Sequence, residues 1–121
     1  MLMDTNGHTI LSEDYVSFET AKLLKEKGFE GFTMFSYSTK GTTMCGHWEN
    51  EIDWMPKCTF QMAMKWLREV HHKHCCISYD INLKWFFQII NLKEGVEYDT
   101  GFNTYEEACE AAIKHCLENL I

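Results

Sequence analysis

Apolar residues recur at helical spacing in three stretches of the chain, and a good helix-capping residue precedes each of them. Ser17 precedes F-E-T-A-K-L-L-K-E-K, which Gly28 closes, and Thr59 precedes F-Q-M-A-M-K-W-L-R-E-V-H-H. Thr104 and Glu107 form the S/T-x-x-E capping box of the last stretch. Because Ser and Thr side chains accept a hydrogen bond from the first helical turn, these positions mark helix starts. The pattern predicts three helices, and the third runs close to the last residue.

Between the helical stretches the apolar positions alternate, which is typical of β-strands. Residues 32–37 and 42–48 flank the turn signal S-T-K-G and predict a β-hairpin. After His74, the stretches C-C-I-S-Y and K-W-F-F-Q-I-I-N-L predict two more strands, and V-E-Y-D predicts an edge strand. Since K-W-F-F-Q-I-I-N-L is apolar on both faces, it is expected to be a central strand.

The order of these elements is α-ββ-α-ββ(β)-α, which predicts an α+β fold. A chain of 121 residues is expected to form a single domain, residues 1–121. We expect a meandering antiparallel sheet with three helices packed mainly on one face. Residues 49–57 indicate a polar connector that carries the only proline, Pro56. Residues 1–11 have no clear period and are expected to be loose.

The charge of the chain disfavours two classes of partner. The formal net charge is −7, and the 11 Lys and Arg residues are scattered singly. Nucleic-acid and anionic-membrane binders draw their affinity from clustered basic residues, so we expect neither partner. The chain starts without a secretion signal, and no apolar run approaches the ~20 residues that span a bilayer. We therefore expect a soluble cytoplasmic protein.

The six cysteines are expected to be free thiols. Cys109 and Cys116 lie in a helical pattern, whereas the adjacent Cys75 and Cys76 point to opposite faces of a strand. A protein without an export signal stays in a reducing compartment, where disulfides rarely persist. Reduced cysteine packs as a small hydrophobic residue.

The stretch H-H-K-H-C-C, residues 71–76, concentrates side chains that bind transition metals. His71 and His74 have the i,i+3 spacing of one helical face, and either Cys75 or Cys76 can face them. Zinc needs about four ligands that converge tetrahedrally. A zinc site on these residues is one hypothesis for the function of the chain.

A structural interpretation of the same stretch is preferred, and no metal or other cofactor is expected. The stretch lacks the C-x₂-C and H-x₃₋₅-H spacings of zinc sites. Cationic side chains are favoured at a helix C-terminus by the helix dipole, so histidines and a lysine fit there. The metal hypothesis requires that a second ligand pair, from residues 45–47 or 115–116, folds beside the stretch.

Two further groups of residues are candidates for catalysis or metal binding. Cys45 and His47 have the i,i+2 spacing of one strand face, so a cysteine-dependent enzyme is the third hypothesis. Glu49, Glu51 and Asp53 alternate along the connector, where three carboxylates can bind Mg²⁺ or Ca²⁺. A packed thiol and a solvated acidic connector are the preferred interpretations. No catalytic residue is assigned, and no phosphate-binding glycine loop, GxSxG or HExxH motif occurs.

The aromatic run Trp85, Phe86 and Phe87 indicates an interaction surface. Most aromatic side chains of the chain are needed for the core. Three helices are expected to cover one face of the sheet and to leave the other face uncovered. Aromatic residues exposed on such a face mark partner sites. We expect a protein partner, which includes a second copy of the chain in a homodimer.

Three blocks of the sequence resemble a family of small uncharacterised proteins from gut Bacteroidales, their phages and mobile elements. The blocks are V-S-F-E-T-A-K-L-L-K-E-K-G-F (16–29), F-Q-M-A-M-K-W-L-R-E-V-H (60–71) and T-Y-E-E-A-C-E-A-A-I-K-H-C-L-E-N-L-I (104–121). These blocks coincide with the three predicted helices. The family has no assigned activity, so the resemblance implies a genomic setting, a bacterial or phage-infected host cell, and carries over no catalytic residue.

From Thr59 onward, the order of a helix, two or three strands and a helix is similar to a double-stranded-RNA-binding domain. That module grips phosphates with basic residues at the start of its final helix. Here the position holds Tyr105, Glu106 and Glu107, whose carboxylates would repel phosphate. The leading hypothesis is therefore a small non-enzymatic accessory or protein-interaction protein of phage or mobile-element type.

Overall fold

A computed structural model gives the structure of residues 14–91 and 95–121, together with the backbone of four residues near the start. Those four form strands β1 (Leu2–Met3) and β2 (Thr9–Ile10), which pair in antiparallel orientation. Residues 1–11 were predicted to be loose. The other seven positions of this segment lie outside the described residues.

The three predicted helices are present with the predicted caps. They are α1 (Phe18–Glu26), α2 (Phe60–His71) and α3 (Tyr105–His115), and a π-helical turn (Cys116–Leu120) continues α3. The side chains of Ser17, Thr59 and Thr104 each accept a hydrogen bond from a backbone N–H of the first turn. Each cap satisfies a donor that the helix itself leaves without a partner.

The strands of the described residues 14–91 and 95–121 form two antiparallel sheets of three strands each, so the α+β class is confirmed. The smaller sheet has the order β4-β3-β5, from β3 (Phe35–Tyr37), β4 (Thr43–Cys45) and β5 (Met55–Lys57). The larger sheet has the order β6-β7-β8, from β6 (His74–Asp80), β7 (Lys84–Asn91) and β8 (Gly95–Phe102). As predicted, β7 is a central strand and β8 an edge strand. The strands divide between two sheets instead of following one meander.

The segment predicted as a polar connector contains structure of its own. A 3-10 turn (Trp48–Asn50) is followed by strand β5, which pairs with β3. Pro56 lies opposite Ser36 in this pairing. Because β5 is at the edge of its sheet, its proline is tolerated, whereas a proline within a central strand would break the hydrogen-bond ladder.

The core lies between the larger sheet and helices α2 and α3. Leu67 of α2 and Ile113 of α3 are fully buried, and Phe87 and Ile89 of β7 are at most 4% exposed. Helix α1 packs against α3 and β5. The two longer helices therefore cover one face of the larger sheet, which leaves its opposite face for other contacts.

Within the part of the chain that the structure describes, no helix combines the length and the apolar character that crossing a lipid bilayer requires.

Candidate interaction surface

The larger sheet presents one face that no described helix covers, here called the outer face. Side chains alternate along a strand, and residues paired across antiparallel strands share a face. The residues of the outer face are His74, Cys76, Ser78 and Asp80 of β6, Lys84, Phe86, Gln88 and Ile90 of β7, and Val96 and Tyr98 of β8. Their neighbours along the chain, such as Phe87 and Ile89, point into the core.

The apolar side chains of the outer face are open to solvent to different degrees. Phe86 and Ile90, on the central strand, are half-buried by their neighbours. On the edge strand, Val96 is 55% exposed and Tyr98 is 71% exposed. Val96 lies opposite Ile90, so the two make a continuous apolar row across the strands.

The outer face carries little charge, although the chain has a formal net charge of −7. Among its described residues, the charged side chains lie at the hairpin end, where Asp80 is opposite Lys84 in the register. The centres of protein interfaces are depleted of charged residues and enriched in aromatic ones. In this respect the outer face differs from the acidic remainder of the surface.

The predicted interaction residues Trp85, Phe86 and Phe87 do not share one face. Phe87 is 4% exposed and stacks on Phe102 with ring centroids 5.8 Å apart, so it belongs to the core. Trp85 is half-buried and meets the ring of Tyr105 of α3 edge-on at 5.6 Å. Of the three, Phe86 alone lies on the outer face. The placement of Trp85 and Phe87 corrects the predicted set, because alternation sends them to the helix-covered side.

The outer face also includes residues that the sequence-based prediction did not single out. Ile90, Val96 and Tyr98 were each assigned to strands but not to an interaction surface. The sequence signal for Val96 and Tyr98 is the alternation in V-E-Y-D, which places both residues on one side of the edge strand.

The structure separates the four residues proposed as metal ligands. His71 ends α2, whereas His74 begins β6 on the outer face. Cys75 points inward and the exposed Cys76 points outward, because they are neighbours on a strand. Among the described residues, no group of three or more His, Cys, Asp or Glu side chains has a geometry that could hold a metal ion.

Of the two alternative second ligand pairs, residues 115–116 place one member, Cys116, beside the stretch. The sulfur of Cys116 lies 3.8 Å from the sulfur of Cys75, between the sheet and the C-terminal helix. The neighbouring His115 turns its Nε2 to Glu97 of β8, at 3.4 Å from a carboxylate oxygen. The arrangement therefore brings two thiols together.

The pair Cys45 and His47 lacks the contact that a thiol nucleophile and its base require. Nδ1 of His47 accepts a 3.2 Å hydrogen bond from the backbone N–H of Thr33. The ring proton is therefore on Nε2, which lies 3.1 Å from a carboxylate oxygen of Glu49. Both ring nitrogens are engaged away from the exposed Cys45, so the imidazole is not placed to take the thiol proton.

The three carboxylates predicted to alternate along the connector do not form an extended row. Glu49 lies in the 3-10 turn, and its carboxylate contacts His47. Glu51 and Asp53 follow the turn, and all three residues are exposed. Because the turn breaks the extended backbone, the spacing no longer places the side chains on one side.

All six cysteines are free thiols in the structure. Burial raises the pKa of Cys58 to about 12 and that of Cys109 to about 11. A buried thiolate is disfavoured because it loses its hydration, so these thiols are poor nucleophiles near neutral pH. They act as small core residues.

The start of α3 keeps its acidic character in the folded chain. Glu106 is exposed, and a carboxylate oxygen of Glu107 accepts a 3.1 Å hydrogen bond from the backbone N–H of Asn103. The order α2-β6-β7-β8-α3 has the helix–three strands–helix topology predicted from Thr59 onward. Topology alone does not carry a function.

No family model, curated protein or solved structure matches the chain at a significant level.

Proposed function

We propose that the chain is a small non-enzymatic accessory protein that binds another protein through the outer face of its larger sheet. The observation that supports this proposal is the outer face itself, an open sheet surface on which apolar side chains are exposed and charges lie only at the hairpin end. A setting in a phage or mobile element is part of the same proposal.

The energetics of the outer face favour association. Val96 and Tyr98 expose apolar surface that a partner would remove from water, at roughly 25 cal/mol for each Å² buried. Tyrosine supplies a large contact area with only two rotatable side-chain bonds, so its ordering costs little entropy. Little charge has to be desolvated, since Asp80 and Lys84 lie at the rim.

A second copy of the chain is the first partner to test. Two nearly uncharged sheet faces can pack on each other as the layers of a β-sandwich do, about 10 Å apart. Contact through this face keeps the acidic surfaces of the two copies away from the interface. Self-association through the outer face would therefore be stronger than the net charge alone suggests.

The test compares two glutamate substitutions at exposed apolar positions. Tyr98→Glu places a charge on the outer face, whereas Ile81→Glu places the same charge in the hairpin turn, where Ile81 is 84% exposed. We expect concentration-dependent association of the unmodified chain in light scattering, which Tyr98→Glu abolishes and Ile81→Glu retains.

A protein other than a second copy is tested with the same pair of variants. In affinity capture from a bacterial lysate, a partner of the outer face is expected to bind the unmodified chain and Ile81→Glu but not Tyr98→Glu. A strict monomer at high concentration, combined with identical capture by both variants, would contradict the proposal.

A further inference from the structure

Two thiols from distant parts of the chain meet between the sheet and the C-terminal helix. Cys75 lies on the inner side of β6, and Cys116 begins the π-helical turn 41 residues later. Their sulfur atoms are 3.8 Å apart. A disulfide holds its sulfurs at about 2.05 Å, so they must approach by about 1.8 Å. Side-chain rotation with a small local shift covers such a distance.

We propose that Cys75 and Cys116 form a redox site that reacts with small-molecule disulfides, such as oxidised glutathione, and closes to an intramolecular disulfide. This site does not depend on the proposed function, because neither sulfur lies on the outer face. The disulfide would join the first turn after α3 to an edge strand of the larger sheet.

The accessibility of the two thiols sets the order of the reaction. Cys75 is half-buried, whereas Cys116 is fully buried. The Cys75 thiolate attacks one sulfur of the small disulfide, and the first small thiolate leaves. The Cys116 sulfur then attacks the Cys75 sulfur of this mixed disulfide, and the second small thiolate leaves. Overall, two protein thiols give up two protons and two electrons, and the small disulfide is reduced to two thiols.

The pair is expected to react slowly near neutral pH. The hydrogen bond with Cys116 and burial raise the pKa of the Cys75 thiol. Because the thiolate is the reactive form, a raised pKa leaves little of it available. The two thiols would therefore react little during a brief exposure to oxidant and would form the disulfide only under sustained oxidising conditions.

Two other thiols near the pair are less suited to the same reaction. Cys76 is adjacent in sequence but points to the opposite side of the sheet. Cys109 is also fully buried on α3, but its thiol interacts with the hydroxyl of Tyr105. Cys116 is thus the thiol in direct contact with Cys75.

The experiment incubates the folded chain with oxidised glutathione and blocks the remaining thiols with an alkylating agent under denaturing conditions. To prevent cross-links between molecules, the exposed Cys45 and Cys76 are replaced by alanine. We expect an intact mass that corresponds to two alkylated thiols instead of four, and a single disulfide-linked peptide pair that contains Cys75 and Cys116. The oxidised form should unfold at a higher temperature than the reduced form.

Two substitutions in that background serve as controls. Cys116→Ala is expected to abolish the intramolecular disulfide, whereas Cys109→Ala is expected to leave it intact. Either control variant can fold less well. The decisive result is therefore the peptide map of the background chain, which still contains Cys58, Cys75, Cys109 and Cys116. A disulfide between Cys75 and Cys109, or four fully alkylated thiols after prolonged oxidation, would overturn the proposal.

Discussion

Glu110 of α3 completes the N-terminal cap of α1 by accepting a 2.7 Å hydrogen bond from the hydroxyl of Thr20. The same carboxylate oxygen lies 3.1 Å from the backbone N–H of Ser17, the N-cap residue. In a capping box, a Glu or Gln of the same helix accepts this N–H. Thr20 occupies that position of α1, so the acceptor comes from another helix, 93 residues away in sequence.

Replacing this carboxylate should destabilise the fold through its two donors. In Glu110→Ala, the fully buried Thr20 and the N–H of Ser17 lose their acceptor. We expect the free energy of unfolding to fall by about 1–3 kcal/mol, chiefly the cost of leaving the buried Thr20 hydroxyl without an acceptor, since the N–H of the exposed Ser17 can turn to water. Urea denaturation measures it. The exposed Glu106 is the matched control, and equal losses in Glu106→Ala would refute the shared cap.

Adjacent phenylalanines on β7 should respond very differently to truncation. Phe87→Ala removes a ring that is 4% exposed and stacks on Phe102, so we expect a loss of about 3–5 kcal/mol. Phe86→Ala truncates a half-buried ring on the outer face and should cost clearly less. Thermal or urea unfolding of both variants checks the difference. Similar losses would mean that the outer face is covered in the folded chain.

The buried thiol of Cys58 should make the fold sensitive to alkali. Burial raises its pKa from an ordinary value of 9.0 to about 12. Above about pH 9 the unfolded chain releases this proton while the folded chain keeps it, so stability falls as the pH rises through this window. The loss for one such group approaches about 1.4 kcal/mol per pH unit.

Matched alanine substitutions isolate that contribution. Urea denaturation at about pH 8 and about pH 10 should show a smaller alkaline loss of stability in Cys58→Ala than in the unmodified chain. Cys45→Ala removes an exposed thiol and is the control. If both variants lose as much stability at high pH as the unmodified chain, Cys58 is not the group responsible.

His71 should make the stability of the fold sensitive to acid. Burial, followed by the positive charge of Lys73, lowers the pKa of its imidazole, whose Nε2 is buried without a hydrogen-bond partner in the structure. The unfolded chain binds the proton first as the pH falls below about 6.5, so this contribution to stability is present above that pH and is lost below it.

A variant without the imidazole should lose this acid sensitivity. His71→Phe keeps an aromatic ring against Trp66, which His71 meets edge-on at 4.6 Å. We expect the stability of His71→Phe to change less between neutral and mildly acidic pH than that of the unmodified chain. Val70→Thr alters an exposed neighbour and should keep the original pH dependence. Unfolding curves at the two pH values measure the effect.

The helices were predictable from the sequence because each carries its own start signal. Ser17, Thr59 and Thr104 cap the helices that follow them, and both pattern and cap act over a few residues. Strand β5 was missed because a three-residue segment with a central proline shows no alternation. The strand is defined by its pairing with β3, which no local sequence pattern indicates.

The candidate sites were less predictable because they depend on contacts between distant residues. Alternation was sufficient to place Cys75 and Cys76 on opposite sides of a strand, which separates two of the proposed metal ligands. It could not show that Cys116 lies beside Cys75, since no local pattern relates residues 41 positions apart. Likewise, the aromatic run drew attention to Trp85 and Phe87, while the pleat of the strand leaves Phe86 on the open side.

The cap that α3 provides for α1 also bears on the order in which the chain folds. Strands β6, β7 and β8 are consecutive and joined by short connections, so they can pair soon after they are synthesised. Thr20 must wait for Glu110, which leaves the ribosome 90 residues later. We expect α1 to acquire its full cap only after α3 has been synthesised, which makes docking of α1 against α3 a late event in folding.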